Sequence, residues 1–167
     1  MKLHKSPGVD GFAPLIGERP RLLILGNAPS VLSLAAQQYY GNPRNAFWRI
    51  AAELFGFDAD ADYDERVAAL TTAGVAVWDV LRSCRRVGSL DSAVERDSMV
   101  VNDFAGFFAD HPTIDRVLFN GAAAEANYRR LVMVDAAVSY ARLPSTSPAH
   151  TMAFAAKLAA WRVGLRG

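Results

Sequence analysis

The chain has 167 residues, 51% of them hydrophobic, which fits one globular domain with a sizeable buried core. Its 18 basic and 17 acidic residues nearly cancel, which excludes an intrinsically disordered chain and gives no sign of a polyanionic partner from bulk charge. A single cysteine, Cys84, excludes a disulfide framework, a cysteine-built iron–sulfur cluster and a zinc knuckle.

The beginning of the chain predicts no membrane or export function. The segment MKLHKSPGVD contains no apolar stretch of a secretory signal, and no later run approaches the length of a membrane span, so we expect a cytoplasmic protein. Residues 1–20 hold three prolines and three glycines without periodicity, which predicts an irregular lead-in. Residues 21–167 are then expected to form one domain.

Strands and helices are predicted to alternate through the first half of that domain. The apolar run at 22–25 predicts a buried strand, and a helical turn near 32–38 and a helix over 45–55 follow it. A helix over 64–72 precedes a second strand at 75–78. Residues 82–91, which include three arginines, are predicted to be a polar loop.

The second half continues the alternation. A helix over 102–110, capped by Asn102, precedes a third strand at 117–119. A helix over 122–132, a fourth strand at 137–143 and a closing helix over 152–165 complete the domain. This order predicts an α/β fold with a parallel sheet covered by helices on both faces. Functional loops of such a sheet gather at the carboxyl ends of its strands.

Two motifs follow the first and the last predicted strands. The first is LGNAPS at 25–30, continued by YYGNPRNAFW at 39–48, and the second is LPSTSPAH at 143–150. Together they resemble the uracil-DNA glycosylase superfamily, most closely its hypoxanthine-DNA (deoxyinosine) glycosylase branch and next the mismatch-specific uracil glycosylases. The similarity runs from about Arg21 to the C-terminus and includes the segment WDVLRSCRRVGSLDSA at 78–93.

The resemblance implies a three-layer sandwich with a four-stranded parallel sheet between helices. It implies a monofunctional DNA repair glycosylase that hydrolyses the N-glycosidic bond of a flipped-out deaminated base, hypoxanthine or uracil, and leaves an abasic site. No metal and no cofactor are expected. The expected partner is DNA that contains a deaminated base, with no membrane contact, and we expect a monomer.

The resemblance also implies roles for residues of the first motif. It places the essential asparagine of the branch at Asn45, which would orient water and aim its carbonyl oxygen at the sugar; alternatively, Asn45 only caps a helix. Asn27 could bond to the base or to water, or could hold a tight turn. Tyr40 matches an aromatic residue that stacks on the base. The sequence alone does not decide whether Tyr40 or Tyr39 has this role. The remaining residues of the expected base-binding set are Ala28, Pro29 and Ser30.

The expected DNA contacts lie in two segments. The second motif would enter the DNA at the lesion, with Ser147-Pro148-Ala149 as a wedge; alternatively, Ser147 caps a helix whose first residue is Pro148. Arg85 and Arg86 would contact phosphates, or would simply be solvated. Asp79, after the second strand, could assist the water or cap a loop. The other DNA-binding residues expected from the second motif are Ser145 and His150.

Two positions depart from the pattern of the branch, and a third differs from other branches. Asn27 stands where a small residue such as serine is usual, and Asn42 stands where histidine is usual. Ala28 occupies the position of the reactive aspartate or asparagine of other branches, so the reactive group must come from elsewhere. These departures keep open a second hypothesis, a non-catalytic binder of damaged or single-stranded DNA. A nucleotide-binding domain is disfavoured because the first loop has no phosphate-binding lysine.

Overall fold

A computed structural model describes residues 6–167. In chain order the strands are β1 (Gly8–Asp10), β2 (Leu22–Gly26), β3 (Val75–Asp79), β4 (Leu81–Arg85), β5 (Val100–Val101), β6 (Arg116–Asn120) and β7 (Ser139–Leu143). The helices are α1 (Val31–Ala36), α2 (Phe47–Phe55), α3 (Tyr63–Thr72), α4 (Phe104–Asp110), α5 (Ala122–Leu131) and α6 (Phe154–Arg166).

The four predicted strands form one parallel sheet in the order β3-β2-β6-β7. Alternate residues of β2 point to opposite faces: Leu23 and Leu25 join one core cluster and Ile24 joins the other. Helices α4 and α5 supply the first cluster, and α2, α3 and α6 supply the second. Both faces are therefore buried, which explains why β2, β3 and β6 contain continuous apolar runs. The predicted three-layer α/β fold is confirmed.

A second, smaller sheet was missed by the sequence analysis. Its antiparallel order is β1-β4-β5, so the prediction of a loop over 82–91 is wrong for the part within β4. The prediction of an irregular lead-in is likewise wrong for Gly8–Asp10, while residues 1–5 lie outside the described part of the chain. Val9 pairs with Cys84, and both side chains are buried. The arginines around Cys84 make the segment look polar, so its sequence does not show the alternation of apolar and polar residues that predicts a strand.

The starts of two helices differ from those predicted. Asp103, and not Asn102, caps α4 by accepting a hydrogen bond from Gly106 N at 3.0 Å. The Asn102 side chain instead donates to the Asp79 backbone oxygen at 2.7 Å and so supports the end of β3. Helix α6 begins at Phe154, and residues 147–150 form turns before it, so Ser147 does not cap that helix. Across residues 6–167, none of the helices has the length and apolarity that crossing a membrane requires.

Candidate active site

A polar cavity opens where the four parallel strands end. Gly26 at the end of β2, Asp79 at the end of β3 and Asn120 at the end of β6 line it, and the loop after β7 closes one side. The carboxyl ends of parallel strands are the usual place for a ligand in such sheets. The full lining is Gly26, Asn27, Ala28, Pro29, Ser30, Ser33, Tyr39, Tyr40, Asn45, Asp79, Ser89, Asp91, Asn120, Ser145, Thr146 and Ser147.

The floor of the cavity requires a glycine. A Cβ atom on Gly26 would lie 2.5 Å from Asp79 Oδ1 and 2.8 Å from the Tyr40 hydroxyl oxygen. Both polar groups therefore crowd against the backbone at the end of β2. A larger residue at position 26 would displace these side chains from their positions.

Tyr40 and its neighbour Tyr39 have different environments. Tyr39 is buried in the core and its hydroxyl donates to the Ala13 backbone oxygen at 2.9 Å. Tyr40 has a left-handed backbone (φ 53°) and stacks one ring face on Phe47, with centroids 4.1 Å apart. Its hydroxyl is buried and lacks a hydrogen-bond partner within residues 6–167. Burial raises the pKa of Tyr40, so the hydroxyl keeps its proton.

Asn45 both supports a helix and faces the cavity. Its Oδ1 accepts a hydrogen bond from Phe47 N at 2.9 Å, which satisfies a free backbone donor at the start of α2. This bond fixes the orientation of the side-chain amide, because only the oxygen can accept from an N–H. The Nδ2 group is bonded to no other part of the described chain. The two roles considered for Asn45 are thus compatible.

Asn27 does not have a free side chain. Its Nδ2 donates to Asp91 Oδ1 at 3.0 Å, and its Oδ1 accepts from Asn127 Nδ2 at 2.8 Å. The residue is buried, and both ends of its amide are occupied. Asn27 nevertheless lines the cavity, and its Nδ2 group carries a second N–H, so a bond from Asn27 to base or water stays a prediction.

The cavity contains two carboxyl groups that the motif comparison did not place together. Asp79 is buried, and burial first, then the negative charge of Asp91, raises its pKa to about 7, against the opposing effect of Arg86. Asp91 keeps an exposed surface, yet desolvation by the surrounding protein raises its pKa, while the Asn27 hydrogen bond and the Arg86 charge lower it. Asp91 lies in the segment GSLDSA that carries part of the resemblance, the only sequence signal for it.

The two arginines expected at phosphates are engaged elsewhere. Arg86 is 2% exposed, and its guanidinium donates to the Pro29 and Gly88 backbone oxygens, each at 2.6 Å. A phosphate contact by Arg86 is a wrong prediction, because the group is inside the protein, where its charge lies near both carboxyl groups. Arg85 is paired with Glu95 at 2.7 Å, so it presents no free charge.

The rest of the first motif lines the cavity mainly through its backbone. Ser30 caps α1, since its Oγ accepts from Ser33 N at 3.1 Å. The Pro29 backbone oxygen is held by Arg86, as described above, and Ala28 packs against the core. These three residues shape the wall and carry no free polar side-chain group toward a ligand.

The second motif is fixed to the sheet by its neighbours. Thr146 exchanges two hydrogen bonds of 2.9 Å with the Asn120 side chain, and Trp161 Nε1 donates to the Pro144 oxygen at 2.9 Å. Lys157, which is buried, donates to the Ser147 backbone oxygen at 3.0 Å. Of the predicted DNA-binding residues, Ser145 and Ser147 line the cavity, whereas Pro148, Ala149 and His150 lie outside it.

Two known proteins of similar sequence have the same name. No protein-family model matches the chain. A hypoxanthine DNA glycosylase of Methanosarcina barkeri is 36% identical over 112 residues, which cover 66% of this chain and 70% of that protein. Its counterpart in Methanosarcina acetivorans is 36% identical over 115 residues, 68% of this chain and 72% of that protein.

A solved structure agrees with these relatives over almost the whole chain. It is a solution NMR structure of a candidate uracil DNA glycosylase from Methanosarcina acetivorans, 31% identical, with a TM-score of 0.75. The superposition covers 94% of this chain and 98% of that one. The chain therefore belongs to the uracil-DNA glycosylase superfamily, in its hypoxanthine-DNA glycosylase branch, and is a DNA glycosylase of the repair type.

Proposed function

We propose that the cavity binds hypoxanthine or uracil flipped out of DNA and that the protein hydrolyses its N-glycosidic bond. The observation that carries this proposal is the position of Asn45, which lines a polar cavity at the ends of the parallel strands and whose amide nitrogen has no hydrogen-bond partner among the described residues. The names of the similar proteins support both candidate bases.

The reaction develops positive charge on the sugar and negative charge on the leaving base. Fixed hydrogen-bond donors aimed at the leaving base stabilise that charge without reorganisation. The Asn45 Nδ2 group fits this role, because the bond from Phe47 N to Oδ1 holds the amide in one orientation. The atom proposed to act is therefore the amide nitrogen, and not the carbonyl oxygen considered from the sequence.

Tyr40 is proposed to hold the base. Phe47 covers one face of its ring, so a base stacked on the other face would extend an existing aromatic stack. The Tyr40 hydroxyl, which lacks a partner in residues 6–167, supplies a further donor at the floor of the cavity. Hypoxanthine and uracil both offer a flat face and a carbonyl oxygen to these two groups.

Hydrolysis without strand cleavage is proposed because none of the residues 6–167 that line the cavity is a lysine. A glycosylase that also cuts the strand requires an amine to form a Schiff base with the sugar. Residues 6–167 contain one lysine, Lys157. Its amine donates a hydrogen bond to the Ser147 backbone oxygen. The expected product is an intact strand with an abasic site.

The test is base release from matched oligonucleotides that contain deoxyinosine, deoxyuridine or only ordinary bases. Alkali after incubation should cut the deoxyinosine strand, the deoxyuridine strand or both at the lesion, and should leave the ordinary strand whole. Without alkali, all strands should stay intact. Binding of lesion DNA with no alkali-sensitive product would instead identify a non-catalytic DNA-binding protein.

A further inference from the structure

A chain of hydrogen bonds runs from the protein surface into the cavity and ends on Asp91. Arg130 donates to Asn127 Oδ1 at 3.3 Å, Asn127 Nδ2 donates to Asn27 Oδ1 at 2.8 Å, and Asn27 Nδ2 donates to Asp91 Oδ1 at 3.0 Å. Every bond in this chain points the same way, from a cationic group to a carboxyl oxygen. Asp91 is thus the final acceptor, which favours its ionised form.

The second carboxyl group in the cavity has a different position. Asp79 lies on the floor beside Gly26 and Tyr40, and it is almost completely buried. Asp91 keeps more than a third of its surface exposed at the mouth. A flipped base enters toward the floor, while its sugar stays attached to the DNA strand outside. Asp91 is therefore the carboxylate on the side of the sugar and of the attacking water.

Resting on the proposed glycosylase function, we propose that Asp91 is the catalytic base and that Asn27 is the residue that positions it. Asp91 takes a proton from a water molecule while the water oxygen forms a bond to C1′ of the sugar. The C1′–N bond breaks, and its electron pair leaves with the base, which is then protonated by solvent. The proton on Asp91 returns to solvent.

A catalytic base at Asp91 explains how the reaction proceeds although the first motif contains no reactive group. Ala28 has no functional group, and the Asn45 oxygen is occupied by Phe47 N. An asparagine also cannot take a proton at neutral pH. A carboxylate supplied by the segment after β4 fills the role that the first motif leaves open.

The decisive experiment is single-turnover base release by Asp91→Asn on the lesion that the unaltered protein processes. The substitution keeps the acceptor for Asn27 and removes the charge, so base release should slow at least 100-fold with lesion binding retained. Asp135→Asn, an exposed residue before β7 at the opposite end of the sheet, is the matched control and should keep the original rate. A normal rate in Asp91→Asn would overturn the proposal, while base release by the unaltered protein would still support the glycosylase function.

Two further readouts separate catalysis from structural support. The charged groups near Asp91 are Asp79 and Arg86, with Arg130 at the far end of the hydrogen-bond chain. The rate of the unaltered protein should fall as acid protonates Asp91, and this fall should be absent in Asp91→Asn. If Asn27 acts only through Asp91, then Asn27→Ala combined with Asp91→Asn should be no slower than Asp91→Asn alone. Additive losses would contradict the positioning role.

An independent observation concerns apolar side chains at the rim of the cavity. Four large hydrophobic residues in two adjoining segments are exposed: Val31 50%, Leu32 50%, Val87 66% and Leu90 56%. The segments are tied together, because Val31 N donates to Ser89 Oγ at 2.9 Å. Ser89 itself lines the cavity, so these residues flank its mouth. The buried Arg86 bonds to both segments and holds them.

We infer that this apolar rim, and above all Leu90 and Val87, inserts into a DNA duplex at the flipped nucleotide. Removal of a base from the stack leaves a gap, and apolar side chains on a fixed loop can fill such gaps. The cavity mouth and the rim are continuous, so duplex DNA that delivers a base to the cavity meets the rim. The wedge predicted from sequence in the second motif offers only the smaller apolar side chains of Pro148 and Ala149.

The test compares duplex and single-stranded DNA with the same lesion. Leu90→Ala combined with Val87→Ala should slow base release from the duplex at least tenfold and should change release from the single strand less than twofold. Met133→Ala, which removes an even more exposed apolar side chain beyond α5, is the control and should change neither rate. An equal effect on both substrates, or no effect on the duplex, would overturn the insertion role.

Discussion

Asp79 couples folding to pH through its burial. Its pKa is raised from 3.8 to about 7 in the folded protein, so the folded state holds the proton more tightly than the unfolded state does. The contribution of Asp79 to the free energy of unfolding is therefore highest below about pH 4. It falls as the pH rises toward about 7 and is constant above that range. The maximum change is about 4 kcal/mol, at roughly 1.4 kcal/mol per pH unit.

Asp79→Asn, which resembles the protonated carboxyl group in shape, should remove this dependence. Urea unfolding between pH 4 and pH 8 should give a shallower decline for the variant than for the unaltered protein. A smaller decline should remain, because the pKa of Asp91 is raised as well. Parallel declines in the two proteins would show that Asp79 is ionised at all these pH values.

Residue roles were predicted from sequence only as far as local chemistry determines them. Asn45 was placed by its motif, and its capping bond is local, with Phe47 two positions away. The bonds of Asn27 were not predicted, because its partners lie 64 and 100 positions away along the chain. Arg86 was misjudged for the same reason, since Pro29, which it bonds, is 57 positions distant. Such long-range pairings have no signature in a single sequence.

At the scale of elements, the parallel strands were predictable and the small sheet was not. Burial on both faces makes β2, β3 and β6 continuous apolar runs, a strong signal. Strand β4 reads LRSCR, and its pairing with β1 and β5 depends on segments distant in the chain. Asp103 and Asn102 are both acceptable caps in sequence, and only the tertiary contact of Asn102 with Asp79 separates them.

The loop after β4 should depend on Arg86 much more than on Arg85. Arg86→Met removes a buried cation that bonds two backbone oxygens and lies near two carboxyl groups, so stability should fall by about 3–5 kcal/mol. Arg85→Ala breaks a partly exposed ion pair worth about 0–1 kcal/mol. Chemical denaturation of both variants measures the difference. Equal losses would mean that the Arg86 bonds do not anchor the loop.

At the scale of the whole molecule, the fold gathers the ends of four strands around one polar cavity. The resemblance of the sequence predicted that both motifs belong to this cavity, and the parallel order of the strands explains why segments far apart meet there. The place of Asp91 in the cavity was not predicted, because the segment after β4 was expected to act through its arginines at DNA phosphates.

The chemistry derived for this cavity uses protein groups alone, and it should not require a metal. Within residues 6–167, the side chains form no cluster of three or more histidine, cysteine or acidic residues that could hold an ion. Base release should therefore be unchanged after incubation with EDTA and dialysis. A loss of activity that zinc or magnesium restores would contradict this prediction.

The most direct test of the central claim is the single-turnover rate of base release by Asn45→Ala. If the Asn45 amide stabilises the leaving base, its loss should slow release about 100-fold or more, as expected for one fixed donor worth about 3 kcal/mol. Loss of the helix-supporting bond alone should lower stability by about 1 kcal/mol and leave the rate nearly unchanged below the melting temperature. The account predicts a folded variant that binds lesion DNA and releases the base slowly. A variant that melts at a lower temperature but releases the base at the original rate would contradict it.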